Sequence, residues 1–415
     1  MTDAGPTALG PTALGLTDAA LASLASRIET PAYVYDLTVA GQRFHDLRRA
    51  LPGLGIRYAV KANPHPAVLR HLIAAGALID ASSIGEVRRA LAAGAQPAQI
   101  SFTGPGKRQA EVDEAVALNI GHMVLESLHQ AEQTSAAAVA LGVVQVVLAR
   151  ISPATSPRGF GARMTGAATQ FGIDEEDAPD TLARIGTLPG LSLQGLHFYA
   201  GSNALDAGAI AANLQICVAL AQRLSDRPTR LIFGAGFGVP YHEGQRALDL
   251  AEVAAQVQAA LLPLATMPQV QVDLELGRWV VAPAGQLLIR VLTRKTGRGA
   301  TMAICDGGFN AHLAACGMMG SVVRRNWPIR NLTAPGAPRE VLTLAGPLCT
   351  SIDLVARDLD IARAMPGDVL AVGLSGAYGA SASPQGFISQ PPVREWVWDG
   401  TALRDATPGL HGGGT

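Results

Sequence analysis

Eight short apolar segments recur between residues 56 and 275, each followed by a turn and a segment with helical periodicity. Near-continuous apolar strands must be covered on both faces, so this alternation predicts a parallel sheet covered by helices. Eight units favour closure into a (β/α)8 barrel, with an open doubly wound sheet as the structural alternative. Helical periodicity is clearest in Ala67–Ala75, Ile84–Ala93 and Ala207–Leu224. The predicted strands are 56–60, 77–82, 99–103, 122–126, 143–150, 192–198, 229–234 and 270–275.

The periodicity changes after about residue 284, where alternating segments with few helices follow one another. Alternation with period two is typical of strands that bury one face, so this region predicts a β-sandwich or β-barrel domain. The aromatic and β-branched segment Ala32–Asp36 could join that sheet, and both ends of the chain would then build the second domain. The predicted strands are Gln286–Arg294, Thr301–Asp306, Val341–Ala345, Asp368–Gly373 and Val393–Trp398.

These patterns divide the chain into five parts. We expect a flexible N-terminal tail and a short helix over 1–28, where Pro-Thr-Ala-Leu-Gly occurs twice in tandem. Residues 29–52 are expected to form a strand and a helix that join the β domain to the barrel. The barrel is expected over 53–284, the C-terminal β domain over 285–406, and a glycine-rich flexible tail over 407–415.

Composition excludes several classes of partner. The formal net charge is -1 with acidic and basic residues interspersed, so no basic surface for nucleic acid or an anionic membrane is expected. No uninterrupted apolar run reaches the roughly 18 residues of a membrane helix, and the N-terminus lacks the pattern of a secretory signal, which predicts a cytoplasmic protein. The four cysteines show no C-x-x-C pair, which argues against a metal cage or a disulfide framework.

The segment Tyr58–Pro64 delivers one lysine, Lys61, at the end of the first predicted barrel strand. Burial lowers the pKa of an amine, and a neutral lysine can form a Schiff base with an aldehyde. A solvated lysine at a strand end is the simpler alternative. Lys61 is the first candidate catalytic residue.

Three more predicted barrel strands end in groups that suit a phosphorylated cofactor. The sixth delivers His197 and a small-residue turn that ends at Ser202; the alternative is a core histidine bonded to backbone. The seventh runs into the glycine-rich loop 234–238, which could close on a phosphate or merely form a tight turn. The eighth delivers Glu275, which could pair with a protonated ring nitrogen or with Arg278. A lysine, a histidine, a glycine loop and a glutamate together are what pyridoxal 5'-phosphate requires.

The chain resembles the fold-type III pyridoxal-phosphate decarboxylases, which include diaminopimelate, ornithine and arginine decarboxylases. The resemblance spans roughly residues 30–400. It rests on the segments 58–63, 80–86, 170–172, 197–202, 234–238, 275–278, 306–308, 346–349 and 376–379.

The resemblance implies a role for each matching residue. Lys61 would bind the cofactor covalently, His197 would stack on its ring and Glu275 would pair with its ring nitrogen. Cys349 would reach in from the other subunit to return a proton, so a homodimer with shared active sites is expected. The implied phosphate and cofactor contacts also include Asp80, Ser202, Gly236, Gly238, Gly277, Arg278 and Tyr378, and the implied substrate contacts are Arg278, Asn310, Cys349, Thr350 and Tyr378.

Two departures from the family pattern concern the substrate. Thr350 stands where these enzymes have an acid that meets the substrate's distal amine, and small residues follow Asn310 where diaminopimelate decarboxylases have an arginine and a tyrosine. An unpaired buried ammonium is costly, so the pattern favours the branch that acts on carrier-tethered aminoacyl groups or siderophore and other secondary-metabolite intermediates. Arg324 and Arg325 could attract an acidic conjugate.

Three alternatives stay open from the sequence. The enzyme could decarboxylate diaminopimelate or another free basic amino acid. It could be a racemase of the alanine racemase type, although such enzymes place arginine rather than glutamate at the ring nitrogen. It could also be an inactive homologue that binds a partner, which retention of Lys61, His197, Glu275 and Cys349 argues against.

Overall fold

The computed structural model describes residues 15–155, 159–163, 165–225, 227–319 and 325–408, with backbone alone at 162 and 163. Its internal contacts divide the chain into two compact units. The barrel unit comprises Arg43–Val280. The second unit combines the segment that ends at Gln42 with the segment that begins at Val281. The helix Leu37–Ala50 runs across the boundary at residue 43.

The barrel unit contains a closed ring of eight parallel strands, which confirms the predicted (β/α)8 barrel. Each strand pairs with the next, and the eighth pairs with the first through Asp273 and Gly55. Apolar residues fill both sides of the strands, as a sheet buried on both faces requires. The strands are Gly55–Ala59, Leu78–Ala81, Ile100–Phe102, His122–Leu125, Gln145–Ser152, Leu191–Phe198, Arg230–Gly234 and Gln271–Leu276.

Helices follow the C-terminal ends of the barrel strands, and polar caps fix where several of them begin. Ser83, Ser127, Asp206 and Asp249 each accept a hydrogen bond from a backbone N–H of the first turn. These caps end the strand-to-helix loops at defined points. The helices of this unit are Pro66–Ala74, Ile84–Ala92, Gln109–Ala117, Leu128–Leu141, Ala178–Thr187, Ala207–Leu224, Leu250–Leu261 and, at its C-terminal limit, Arg278–Val281.

A cluster of buried charges closes the N-terminal end of the barrel. Asp273 Oδ2 accepts hydrogen bonds from Arg57 Nε and Arg230 Nη1, both at 2.7 Å. A Cβ at Gly55 would lie 2.1 Å from Asp273 Oδ1, so glycine is required there. Burial, together with the two arginines, lowers the pKa of neighbouring His122 to about 3 and leaves it neutral.

The second unit is built around a nine-stranded mixed sheet. Its N-terminal strand Ala32–Asp36 lies between Gly285–Gly297, which is antiparallel to it, and Arg394–Trp398, which is parallel. The predicted participation of the N-terminal strand is therefore confirmed. The helix Asp18–Ala25 packs on this sheet through Leu21 and Leu24. The remaining strands are Ala300–Cys305, Ile329–Asn331, Arg339–Ala345, Leu354–Ala362, Val369–Val372 and Leu403–Asp405.

One described helix, Ala207–Leu224, has the length and apolar character of a membrane span, with a mean hydropathy of 1.2 over 18 residues. It packs beside Leu250–Leu261, and 56% of the segment is buried inside the structure. Core helices of globular proteins pass the same test, so burial accounts for its composition.

Candidate active site

Lys61 lies in a one-turn 3-10 helix, Val60–Ala62, that directly follows the first barrel strand. Val60 and Ala62 are buried, whereas Lys61 is half-buried. Tyr58 Oη donates a hydrogen bond to the carbonyl of Asn63 at 2.9 Å, which ties the strand to the residue that ends the turn. The turn therefore fixes the lysine stem at the mouth of the barrel, where catalytic groups of this fold gather.

His197 and Glu275 form a buried pair at the ends of the sixth and eighth strands. The atoms His197 Nε2 and Glu275 Oε1 are 3.1 Å apart, and both side chains are at most 2% exposed. Burial would raise the pKa of Glu275, but the charge and hydrogen bond of His197, together with Lys61, outweigh it and hold that pKa below its usual range. Because the carboxylate is ionised, Nε2 of His197 is the hydrogen-bond donor.

Asp80 ends the second strand, beside these groups. Its Oδ1 accepts a hydrogen bond from Thr103 Oγ1 at 2.6 Å, while Oδ2 has no hydrogen-bond partner among the described residues. Burial and the charge of Glu275 raise the pKa of Asp80, against the opposing effects of Lys61 and Thr103. A buried polar atom without a partner marks a place for a ligand atom or water.

Two loops interlock to form a backbone cradle at the sixth and seventh strand ends. Ala204 N donates to the carbonyl of Gly236 at 2.9 Å, and Gly238 N donates to the carbonyl of Ala204 at 2.8 Å. Cβ atoms at Gly236 and Gly238 would lie 2.7 and 2.8 Å from the carbonyls of Gly201 and Ala204. Gly236 also has a φ of 66°, so only glycine suits this close approach. Ser202 lies in the first of the two loops, half-buried.

Gly277 and Arg278 bring the eighth strand end against the Lys61 turn. A Cβ at Gly277 would lie 2.7 Å from Ala62 Cβ, so the two backbones meet closely. Arg278 Nη1 donates to Tyr241 Oη at 2.9 Å, and its guanidinium lies over the Tyr241 ring. Tyr241 was not singled out from the sequence.

The structure adds a buried ion pair that the sequence analysis missed. Arg150, on the fifth strand, is 3.0 Å from both carboxylate oxygens of Glu126 through Nη1. Glu126 also accepts hydrogen bonds from Gly104 N and Gly172 N. The Arg150 guanidinium lies over the rings of Phe171 and Tyr199. A charged residue inside the apolar run of Gln145–Ser152 was the available signal.

In the second unit, Asp353 joins the loop of Cys349 to the segment of Asn310. Its Oδ1 accepts from Phe309 N at 2.8 Å and its Oδ2 from Leu348 N at 2.9 Å. Cβ atoms at Gly308 and Gly346 would lie 2.1 and 2.2 Å from this carboxylate. Both oxygens are therefore committed to backbone, and sequence reasoning gave Asp353 no role.

The other predicted residues of this unit occupy distinct environments. Cys349 is exposed, Thr350 is half-buried, and Asn310 is buried with its Oδ1 bonded to Gly308 N at 3.2 Å. Tyr378 has a φ of 54°, a left-handed conformation that is uncommon outside glycine and concentrates at functional sites. Arg324 lies outside the described residues.

The remaining cysteines are buried. Burial raises the pKa of the Cys217 thiol to about 12 and raises that of Cys305 as well, so both thiols stay protonated. Among the described residues no three His, Cys, Asp or Glu side chains are grouped as a metal site would require.

The barrel-end residues fit pyridoxal phosphate by their own chemistry. Lys61 offers an amine, Glu275 an ionised carboxylate, and the loops of Gly236 and Gly238 a cradle that side chains would fill. Asp80 Oδ2 and His197 Nδ1 are buried without hydrogen-bond partners in the described part of the chain. An aldehyde, a ring nitrogen and a phosphate could each find a matching group here.

Known proteins were compared with the whole chain. A family model described as "Pyridoxal-dependent decarboxylase, pyridoxal binding domain" matches residues 39–282. The L-glutamyl-[BtrI acyl-carrier protein] decarboxylase of Niallia circulans is 30% identical over 384 residues, 90% of each chain. The diaminopimelate decarboxylase of Helicobacter pylori strain J99 is 31% identical over 384 residues, 91% of this chain and 92% of its own. The crystal structure of H. pylori diaminopimelate decarboxylase complexed with L-lysine has a TM-score of 0.83 at 28% identity and covers 92% of this chain and 95% of that one.

Proposed function

This chain belongs to the pyridoxal-dependent decarboxylases, and we propose that within the family it acts on a conjugated amino acid, either an aminoacyl group tethered to a carrier protein or a siderophore or other secondary-metabolite intermediate. The family makes it a carboxy-lyase of fold type III that uses pyridoxal phosphate. Its reaction class is decarboxylation, which replaces the racemase and inactive-homologue alternatives.

When bound, pyridoxal phosphate withdraws electrons from the substrate's α-carbon, which makes loss of carbon dioxide feasible. In our proposal Lys61 would hold the cofactor covalently through Nζ. Glu275 would keep a proton on the ring nitrogen, and His197 holds that carboxylate through Nε2. The backbone around Gly236 would hold the phosphate, while the Gly238 N–H, which donates to the Ala204 carbonyl, keeps the two loops together.

The second part of the proposed mechanism is the return of a proton to the α-carbon. Cys349 Sγ or Lys61 Nζ delivers it after carbon dioxide leaves. The exposed position of Cys349 suits a thiol that acts in the site of a second copy of the chain. Ile352, Phe387 and Ile388, large apolar residues of the same unit, are also about half exposed, which suits their burial in a homodimer interface.

The dimer has a direct test. We expect sedimentation to give the mass of two chains, and a mixture of Lys61→Ala and Cys349→Ala proteins to exceed the activity of either protein alone, because one site of the mixed dimer keeps both residues. A monomeric, fully active enzyme would remove this part of the proposal.

The observation that supports the substrate class is the chemistry of the Cys349 loop. Thr350 replaces the acid that would meet a distal ammonium, and Ser351 follows it. The only carboxylate in residues 347–353 is Asp353, and both of its oxygens bind backbone N–H groups. This loop therefore offers no carboxylate for a distal ammonium, and leaving that ion unpaired in a buried site would cost about 3–5 kcal/mol.

A carbon dioxide release assay tests this proposal. The panel comprises glutamate loaded on an acyl-carrier protein, free glutamate, a citryl conjugate of a diamino acid, meso-diaminopimelate and ornithine. We expect kcat/KM for one of the conjugates to exceed that for free diaminopimelate at least about 100-fold, as the cost of an unpaired charge implies. Equal or faster turnover of free diaminopimelate would contradict the proposal.

The variant Thr350→Glu sharpens the same test, with Ser351→Glu as the matched control at the neighbouring position. Restoring the acid should raise kcat/KM for free diaminopimelate about tenfold or more, whereas the control should change it little. If neither variant changes the ranking of substrates, position 350 does not select the substrate.

Diaminopimelate decarboxylation is the second candidate, because several relatives of about the same identity are named for it. The same panel separates the two candidates, since only this one predicts efficient release of carbon dioxide from free meso-diaminopimelate by the unmodified enzyme.

A further inference from the structure

Two side chains two residues apart, His197 and Tyr199, compete for one role at the sixth strand end. A flat ring that packs on the face of the cofactor must lie beside the atom that binds the cofactor covalently. The resemblance to the family assigns this ring to His197. The contacts of the two side chains point the other way.

The His197 side chain already has a partner in Glu275. It is fully buried, and its Nε2 bonds Glu275 Oε1 at 3.1 Å. The carboxylate and the imidazole therefore form one unit, in which the edge of the histidine ring supports Glu275. A ring held by its edge in this way acts through the carboxylate.

Tyr199 has the placement that a stacking ring needs. Lys61 Nζ lies over the face of the Tyr199 ring, 4.8 Å from its centroid. The ring is half-buried, so one part of it still meets open space. A group joined to Lys61 would therefore begin its ring system beside the tyrosine face.

The neighbouring backbone is shaped for this tyrosine. A Cβ at Gly234 would lie 2.0 Å from Tyr199 Cδ2, so the seventh strand carries glycine where the ring rests. Gly234 pairs in register with Glu275 on the eighth strand. The ring thus lies next to the strand position that presents the carboxylate for the ring nitrogen.

A second cation fixes the tyrosine. The Arg150 guanidinium lies 5.8 Å from the ring centroid and is itself held by the two Glu126 oxygens. The Tyr199 ring therefore lies between Gly234 and two cations, Lys61 after the first strand and Arg150 on the fifth.

We propose that Tyr199 supplies the ring that packs on the face of pyridoxal phosphate, and that His197 is a positioning residue for Glu275. Tyr199 then packs on the face of the cofactor ring, whereas His197 acts on the ring nitrogen through the Glu275 carboxylate. This assignment concerns the cofactor and does not depend on which amino acid or conjugate is the substrate.

Equilibrium dialysis and visible circular dichroism of the full-length holoenzyme test the assignment. Tyr199→Leu should raise the Kd of pyridoxal phosphate about tenfold and weaken the circular dichroism of the bound cofactor, because ring packing is lost. Tyr199→Phe and Tyr199→His keep a flat ring and should stay within about threefold of the parent enzyme. Tyr199→Met is a second ringless variant should leucine impair folding, which thermal unfolding monitors.

Variants of His197 complete the test. His197→Leu should shift the pH dependence of the bound cofactor's absorbance, because Glu275 loses its partner, and His197→Gln should restore it by donating an amide N–H to the carboxylate. Tyr199 variants should leave that pH dependence unchanged. The assignment would be overturned if Tyr199→Leu and Tyr199→Met kept full cofactor affinity and circular dichroism. It would also be overturned if His197→Gln lost as much circular dichroism as the ringless Tyr199 variants.

Discussion

The two ends of the barrel treat buried charge in opposite ways. At the N-terminal end, the charged side chains of Arg57 and Asp273 meet each other and neither has a buried atom without a hydrogen-bond partner in the described chain; the neutral His122 beside them keeps Nδ1 without one. At the C-terminal end, Asp80 and His197 each keep one buried atom without such a partner. Both ends carry carboxylates and cations, so composition does not distinguish them.

The difference separates stability from function. A buried charge whose partners all come from the chain closes the strand ring, and breaking it leaves an uncompensated ion. A buried polar atom that the chain leaves without a partner costs stability unless a ligand supplies one. At the C-terminal end the unpartnered atoms include an oxygen of the Asp80 carboxylate, which lies in the field of Lys61 and Glu275, so this is the end built for a cofactor, as expected for this fold.

The largest effect at either end is expected from Lys61→Ala, which removes a group at the C-terminal end. We expect decarboxylation and the visible absorbance of bound pyridoxal phosphate to be abolished, while the denaturant midpoint of the cofactor-free protein changes little. Lys61→Arg, which keeps a cation but cannot bind the aldehyde in the same way, is the control and should also be inactive. An active, yellow Lys61→Ala protein would remove Lys61 from the site.

The matching change at the N-terminal end is Asp273→Asn, which leaves Arg57 buried without its counter-ion. We expect a loss of about 3–5 kcal/mol in the free energy of unfolding, measured by urea denaturation, with the circular dichroism of the bound cofactor unchanged in folded protein. Asp360→Asn breaks an exposed pair with Arg339 and should cost less than about 1 kcal/mol. A cost for Asp273→Asn as small as that of the control would show that both ends tolerate unpaired charge.

The sequence predicted which end of the barrel carries the candidate site, but it predicted less well which residues support that site. All eight barrel strands lie within two residues of their predicted bounds, because each is a predominantly apolar segment followed by a turn. Lys61, His197 and Glu275 could be singled out for the same reason. The supporting ion pairs join residues from different strands, as Glu126 and Arg150 do, and no local sequence pattern reveals such a pairing.

The same limit applies to the second unit. The strand Leu354–Ala362 was not predicted, since Arg357, Asp358 and Asp360 interrupt its apolar alternation. It is an edge strand, where charged residues are common. Asp353 precedes it as one more acid in the sequence, and only the fold shows that it holds two loops together.

The smallest expected effect concerns the pH dependence of stability at the C-terminal end. Burial, reinforced by the charge of Asp80, raises the pKa of Glu86 to about 7, although a hydrogen bond from Ser82 N opposes the shift. In the unfolded chain the pKa is near 4.5. Folded protein therefore binds the proton more tightly than unfolded protein does. Stability from this group is complete below pH 4.5 and is lost as the pH rises to about 7.

Glu86→Gln removes this titration but keeps an oxygen for Ser82 N. Relative to the parent, the variant should gain stability on the order of 1–3 kcal/mol between pH 4.5 and pH 8, measured by urea denaturation at each pH. Glu243→Gln, at an exposed glutamate, should run parallel to the parent across the same range. If Glu86→Gln also runs parallel, the C-terminal end tolerates ionised Glu86 without cost, and the contrast between the two ends would then rest on Asp80 and His197 alone.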